Sequence, residues 1–419
     1  MAPVPLAGEA FFPLDEQLGL LTGGLTPRAE ETLVRLATWM PYAQAQELLQ
    51  DLLGIQVSKA TARRATLSTG QAQLALDEAE EERLKQEVPQ APRGAAKQQL
   101  SADGAMVHLV GGEWVEVKTL IVGEVTHNKR GEVCTKQIST FSRLADAERF
   151  SEASLVETQR RGLEQAAAVC AVQDGAEWLQ KLIDYHRADA VRILDFAHAA
   201  EYLNEIGQTV QAAGGRLPAW WFEAVRHRLK HQGPARVLKH LSRLAVRYPS
   251  PGVQEKLAYL QKREAHMQYP AYQQAGWPIG SGSVESAHKV VVEARLKGAG
   301  MRWARHNVNP MLTLRNAVCN RRWDETWQAT RKQRQQSRQK LRSQRIHARA
   351  ELALRRLLIL WLRWRPSTPR SVASPAPQSV SSPAATAAKP PRGPRRPAAT
   401  HPWRRPLVVR PTPALLAKK

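Results

Sequence analysis

Cysteine is almost absent from this chain: Cys134, Cys170 and Cys319 are the only three in 419 residues, far apart and without a CxxC pair. That excludes a disulfide framework and argues against a thiolate zinc site. Long hydrophobic runs are missing as well, and none approaches the roughly 18 residues of a membrane-spanning helix. The opening stretch MAPVPLAGEAFFPLDEQ has no basic segment followed by an apolar one, as a secretory signal would. The expectation is a soluble cytoplasmic protein. Acidic residues are scarce in one region only. Residues 330–419 hold 22 Lys/Arg and a single acid, Glu351, a net of +21, while the other 329 residues carry 39 basic and 37 acidic residues. The overall charge of +23 therefore belongs to the tail, and it points to a polyanionic partner for that segment alone.

The N-terminal third reads as helix. Apolar positions Ala45, Leu48, Leu49, Leu52 and Leu53 recur at helical spacing, Gly54 interrupts, and Ser58 is placed to cap a following helix that carries Arg63 and Arg64. Helix, glycine turn and capped basic helix suit a helix-turn-helix that enters a major groove, and equally a small packing bundle. A second helical pattern, TGQAQLALDEAEEERLKQEV, leads to a Pro/Gly-containing linker and a boundary near residue 97.

The texture then changes. LSADGAMVHLV, EWVEVKTLIVGEVTHN and EVCTKQISTFS are β-branched runs separated by GG and NKRGE turns, an expected three-stranded antiparallel meander. Helical residues from Asp146 to Gln165, strand AAVCAVQ, helix AEWLQKLIDYH and strand AVRIL complete the order β-β-β-α-β-α-β. Asp103 lies on the first strand, and Asp174 and Asp195 each close an apolar strand, where open α/β sheets keep their chemistry. With the first and fourth strands side by side, as in a ribonuclease-H-like fold, Asp103 and Asp174 approach one another, and two such carboxylates repel unless a divalent cation lies between them.

Residues 199–275 show helical patterns with Gly/Pro breaks and no strand signal, too long for a connection and so an all-helical insertion. Within it Trp220, Trp221 and the basic series Arg226, Arg228, Lys230, Lys239 and Arg243 are candidates for contacts with phosphates or stacked bases, or simply a core aromatic and a solvated helix face. GSGSVESAHK follows. Ser283 is a candidate cap and Glu285 falls in the first helical turn, amid Lys289, Arg295, Lys297, Arg302 and Arg305.

Four blocks, SADGAMVHL at 101–109, VQDGAEWLQ at 172–180, ILDFAHAAEYL at 193–203 and GSGSVESAHKVVVEARLKGAGMRWAR at 280–305, together resemble the DDE transposases of bacterial insertion sequences, most closely the ISKra-type group related to Mutator-like enzymes. The resemblance covers most of residues 10–325. It implies a ribonuclease-H-like core in two parts, 98–198 and 276–325, interrupted by the insertion and preceded by an N-terminal DNA-binding region, 1–97. It also implies DNA cleavage and joining at terminal inverted repeats, two Mg²⁺ or Mn²⁺ ions, a homo-oligomeric synaptic assembly and a nucleoid-associated location. By position the metal-binding triad is Asp103, Asp174 and Glu285. Asp195 and His198 match a Cys/Asp-x-x-His pair of related enzymes and are expected to support the site, with Asp195 orienting His198. Arg63, Arg64, Lys289, Arg295, Lys297, Arg302 and Arg305 are the expected DNA contacts.

Two alternatives stay open. Asp195 is also placed to be the second metal ligand, with Asp174 as a helix cap. The chain also suits a non-catalytic repressor derived from a transposase, or a nuclease of the same fold that cannot join DNA. The departure from the family is the C-terminus: a basic helix over 326–365 and a proline-rich tail, 366–419, with 13 of the 27 prolines and no acid. Such a composition is that of a disordered polycation and a salt-sensitive DNA clamp.

Overall fold

The computed structural model describes residues 25–363. Of these, residues 25–349 belong to one compact unit and residues 350–363, which are helical, to a second. The expected disordered tail, 366–419, lies outside the described residues.

The architecture is α/β, built on one five-stranded mixed sheet. Strands β1 (Lys97–His108), β2 (Trp114–His127) and β3 (Val133–Arg143) form the expected antiparallel meander. Strands β4 (Ala168–Gln173) and β5 (Val191–Leu194) add parallel to β1, giving the order β3-β2-β1-β4-β5. Alternation within β4 explains how both faces are filled. Val169 and Ala171 bury with Leu100, Leu120, Val122, Phe150, Leu179 and Leu182 against helices α4 (Ala147–Ala153) and α6 (Glu177–Arg187), between which the chain forms the short α5 (Leu155–Arg160). Cys170 and Val172 turn the other way, into a second core with Ile193, Leu203, Trp221, Leu241 and Tyr269 of the helical insertion. Each large side chain so buried contributes about 1.5–3 kcal/mol, so the insertion is part of the sheet's core.

The insertion itself runs through α7 (Phe196–Ala212), α8 (Trp221–Gln232), α9 (Pro234–Arg247), α10 (Pro251–Lys262) and α11 (Tyr269–Gln274). The chain then returns as α12 (Gly282–Ala287), a π-helical turn over His288–Glu293, the single turn α13 (Ala294–Leu296), α14 (Arg305–Cys319) and α15 (Trp323–Arg363). Helix α14 protects the sheet edge. Asn309, Asn316 and Asn320 exchange hydrogen bonds with the backbone of Leu144, Ser142 and Thr140, occupying groups of β3 that would otherwise template another strand.

At the N-terminus, α1 (Pro27–Trp39) and α2 (Tyr42–Leu53) precede α3 (Lys59–Glu87), with Gly54 left-handed at φ +68° and the Ser58 hydroxyl accepting from the Thr61 N–H at 3.1 Å. Helix, glycine turn and capped helix are thus present. The two helical patterns on either side of Thr69 are one helix of 29 residues. Gly70 lies inside it because α14 crosses there, and a Cβ at that position would fall 2.1 Å from the Pro310 carbonyl oxygen. The region is also less separable than a boundary near 97 suggests. Val34 shares a cluster with Leu314, Val318, Trp323 and Trp327. The Arg315 guanidinium, fully buried, reaches from α14 to the Thr38 carbonyl at 3.1 Å and lies 4.4 Å from the Trp39 ring centre.

His186 near the end of α6 sets one pH limit on this core. Its ring nitrogens bond the hydroxyls of Ser154 and Thr158 at 2.8 and 3.2 Å, and burial pushes its pKa down from 6.5 to about 4. The unfolded chain binds the proton more readily, so stability is full above about pH 6.5 and is lost as pH falls towards 4, by roughly 3 kcal/mol. Thermal melts between pH 7 and 4 are expected to show that loss and His186→Gln to flatten it. An equal slope in both proteins contradicts it.

Candidate active site

The sheet register creates the site. β1 and β4 pair from Lys97 opposite Ala168 to Leu100 opposite Ala171, an offset of 71 residues that Asp103 and Asp174 share three residues beyond the last pair. β4 and β5 pair with an offset of 21, Cys170 opposite Val191 through Gln173 opposite Leu194, and Asp174 and Asp195 are the next residue of each. Asp103 within β1, and Asp174 and Asp195 directly after β4 and β5, therefore come to the wall of one cavity. Glu285 comes to them from α12, which packs through Val284 and Ala287 onto Ile121 of β2.

The result is a cavity of about 190 Å³ lined by Asp103, Asp174, Asp195, His198, Glu201 and Glu285, with Ser281 at its edge and no Lys or Arg in its lining. All five residues expected at the catalytic centre are brought together. Burial raises the Asp103 carboxyl above its usual range, the Gly104 N–H and His288 oppose that, and the neighbouring Asp174 and Glu116 push it further up. Accumulated negative charge without a basic side chain, presented on hard oxygen donors, is the chemistry that Mg²⁺ or Mn²⁺ suits. Among the described residues no group of three or more His, Cys, Asp or Glu side chains is arranged so that it could hold a metal ion.

The aspartates differ in what their oxygens do. Asp195 is 4% exposed and both oxygens are engaged. Oδ1 accepts from the N–H groups of Ala197 and His198 at 2.6 and 3.3 Å, capping α7. Oδ2 accepts from the Ser281 N–H at 2.7 Å and from the Ser281 hydroxyl. Asp195 thus ties β5 to the residue just before α12 and holds Glu285 towards the cavity. Asp174 and Asp103 each accept one short-range backbone bond, from Ala176 N–H at 2.8 Å and Gly104 N–H at 2.7 Å. Each keeps one oxygen without a backbone donor.

His198 meets Asp195 only through its backbone N–H. Its ring Nδ1 lies 3.5 Å from Glu201 and its faces contact Tyr202 and Tyr259 edge-on. Ser283, expected as a cap, instead accepts from Gln99 Nε2 at 3.3 Å, and Ser281 holds the N-cap position.

One residue escaped sequence reasoning. His288 is buried at the start of the π-helical turn with Nε2 3.9 Å from Asp103 Oδ2, and neither ring nitrogen has a hydrogen-bond partner among the described residues. Burial pushes its pKa down, and the Asp103 carboxylate pulls the other way. Its only sequence signal is its place one helical turn after Glu285.

The basic residues sort by exposure. Arg63, Arg64, Lys289, Lys297, Arg302 and Arg305 are exposed, with Lys297 ion-paired to Glu293 at 2.8 Å and Arg305 to Glu113. Arg295 is a correction. At 2% exposure it donates to the Ala37 carbonyl at 2.9 Å and lies between the rings of Tyr42 and Trp303, at 4.9 and 5.0 Å from their centres. It joins α1 to the core and has no path to a phosphate. Trp221 is likewise a core residue, its indole donating to His240 at 2.9 Å, whereas Trp220 is exposed.

No protein-family model and no curated protein matches the chain.

Proposed function

We propose that this chain is a DDE transposase with a ribonuclease-H-like core, which binds the terminal inverted repeats of an insertion sequence and cuts and joins DNA. The observation that carries this is that Asp103 of β1, Asp174 after β4, Asp195 after β5 and Glu285 of α12 line one acid-rich cavity. The strand order β3-β2-β1-β4-β5, with one antiparallel meander and two parallel additions, supports the fold assignment.

Asp103, Asp174 and Glu285 are the residues that would hold a pair of Mg²⁺ or Mn²⁺ ions in this reading, and ions so held would supply activation of a water or 3′-hydroxyl and stabilisation of the leaving oxygen. Asp195 keeps α12 in place and so sets where Glu285 stands. His198 borders the same cavity, where it can hydrogen-bond a phosphate oxygen of the bound strand. Arg63, Arg64, Lys289, Lys297, Arg302 and Arg305 supply exposed charge for the phosphate backbone. A dimer or larger assembly brings two element ends together.

The test is incubation of the full chain with Mg²⁺ and a plasmid bearing the inverted repeats that flank its reading frame. Joined products are expected. Nicked or linear DNA with no joined product indicates a nuclease, and binding without any cut a repressor; either result rejects the proposal.

A further inference from the structure

We infer that the helical insertion positions the Asp174 carboxylate directly, with Tyr259 and Arg263 as positioning residues that clamp the Asp174–Gly175 turn. This rests on Asp174 as a cation ligand. The Tyr259 hydroxyl, from α10, donates to the Asp174 carbonyl. Arg263, the residue that ends α10, donates from Nη2 and Nε to the Gly175 carbonyl at 2.7 and 3.2 Å. Two consecutive carbonyls of the site turn are therefore held from one helix end, 85 to 88 residues away in the chain.

The clamp is braced on both sides. The Arg263 guanidinium lies 3.6 Å from the Tyr259 ring centre, and Tyr259 stacks on Tyr202 of α7 with centres 4.2 Å apart and planes 5° from parallel. Both rings meet His198 edge-on. Burial drives the Tyr259 pKa far up, so its hydroxyl remains a neutral donor. Gly175 answers to the same geometry. Its φ of +82° disfavours a side chain, and a Cβ there would fall 2.5 Å from Arg263 Nε and 2.9 Å from the Tyr259 hydroxyl. The carbonyls are pinned by the insertion and Asp174 Oδ1 by the Ala176 N–H, so the orientation of the remaining oxygen, Oδ2, is set by the turn as a whole. Groups that orient a metal ligand without touching the metal typically change affinity 10- to 100-fold when removed.

The experiment is a Mn²⁺ titration of the full chain followed by electron paramagnetic resonance, with thermal melting and salt-dependent DNA binding measured on the same proteins. Tyr259→Phe, which removes one hydroxyl, and Arg263→Ala are expected to weaken Mn²⁺ binding by about tenfold while DNA affinity stays as in the wild type. Arg263→Lys, which keeps the charge but not the two-pronged donation, is expected to recover part of the loss. If Asp174→Asn weakens Mn²⁺ binding and Tyr259→Phe, which should keep the fold, does not, the clamp is wrong and the metal site stands. If the wild type binds no Mn²⁺ with or without a short DNA duplex, the reading of the site falls and takes the clamp with it.

Discussion

Asp174→Asn is expected to abolish metal-dependent DNA joining, by on the order of a thousandfold or about 4 kcal/mol of barrier, without loss of stability. The same holds for Asp103→Asn. The Asp103 carboxyl is destabilised in its charged form by burial and by Asp174, so removing one charge from the cavity wall leaves the melting temperature unchanged or raised when no divalent ion is present. Asp195→Asn has the opposite signature. Each Asp195 oxygen accepts two hydrogen bonds, and an amide nitrogen in place of either would face donors on α7 or Ser281. That costs about 2–4 kcal/mol of stability and loosens the segment before Glu285, so activity falls through misplacement. Melting curves and joining assays on the three variants separate the roles. A destabilised Asp174→Asn with a stable, inactive Asp195→Asn reverses the assignment and makes Asp195 the ligand.

Removing residues 1–70 is expected to leave no folded protein, and the failure is not one of DNA recognition. The truncation uncovers Leu314, Val318, Trp323 and Trp327, removes the partners of two buried arginines and takes away the first turns of the helix that crosses α14 at Gly70. A single-residue version is Arg315→Ala. It removes the guanidinium that bonds the buried carbonyls of Thr38 and Val291 and that of half-exposed Val290, the two valines lying in the π-helical turn that follows α12. At about 1–3 kcal/mol for each unsatisfied buried group, a loss near 4 kcal/mol is a large share of the roughly 5–15 kcal/mol that holds a domain folded. Denaturant titration of Arg315→Ala and solubility of the truncation check both. A soluble, cooperatively folding 71–419 fragment contradicts them.

These two cases also mark where sequence was informative. The strands, the meander, the insertion and the acids were legible because each depends on local alternation or on a residue at a strand end. Asp103 and Asp174 share the 71-residue offset at which β1 and β4 pair, and the spacing of their apolar runs already contains it. Arg295 was not legible. It stands in a basic stretch and looks like its exposed neighbours, and only the arrival of Tyr42 and Trp303 on either side buries it. The need for glycine at position 70 was not legible either, since the helix that crosses there lies 240 residues away. Asp174 and Asp195 are alike as strand-end aspartates, and only their hydrogen bonds distinguish them: one carboxylate is consumed by a cap and a tether, the other keeps an oxygen without a backbone donor.

The central claim is that Asp103 and Asp174 share a divalent cation in this cavity. Anomalous scattering from crystals of the full chain grown with Mn²⁺ tests it most directly. A Mn²⁺ peak bound by Asp103 and Asp174 is expected, with Asp195 uncoordinated and still bonded to Ser281. A peak on Asp195 with Asp174 uncoordinated, or no peak in the cavity at saturating Mn²⁺, contradicts it.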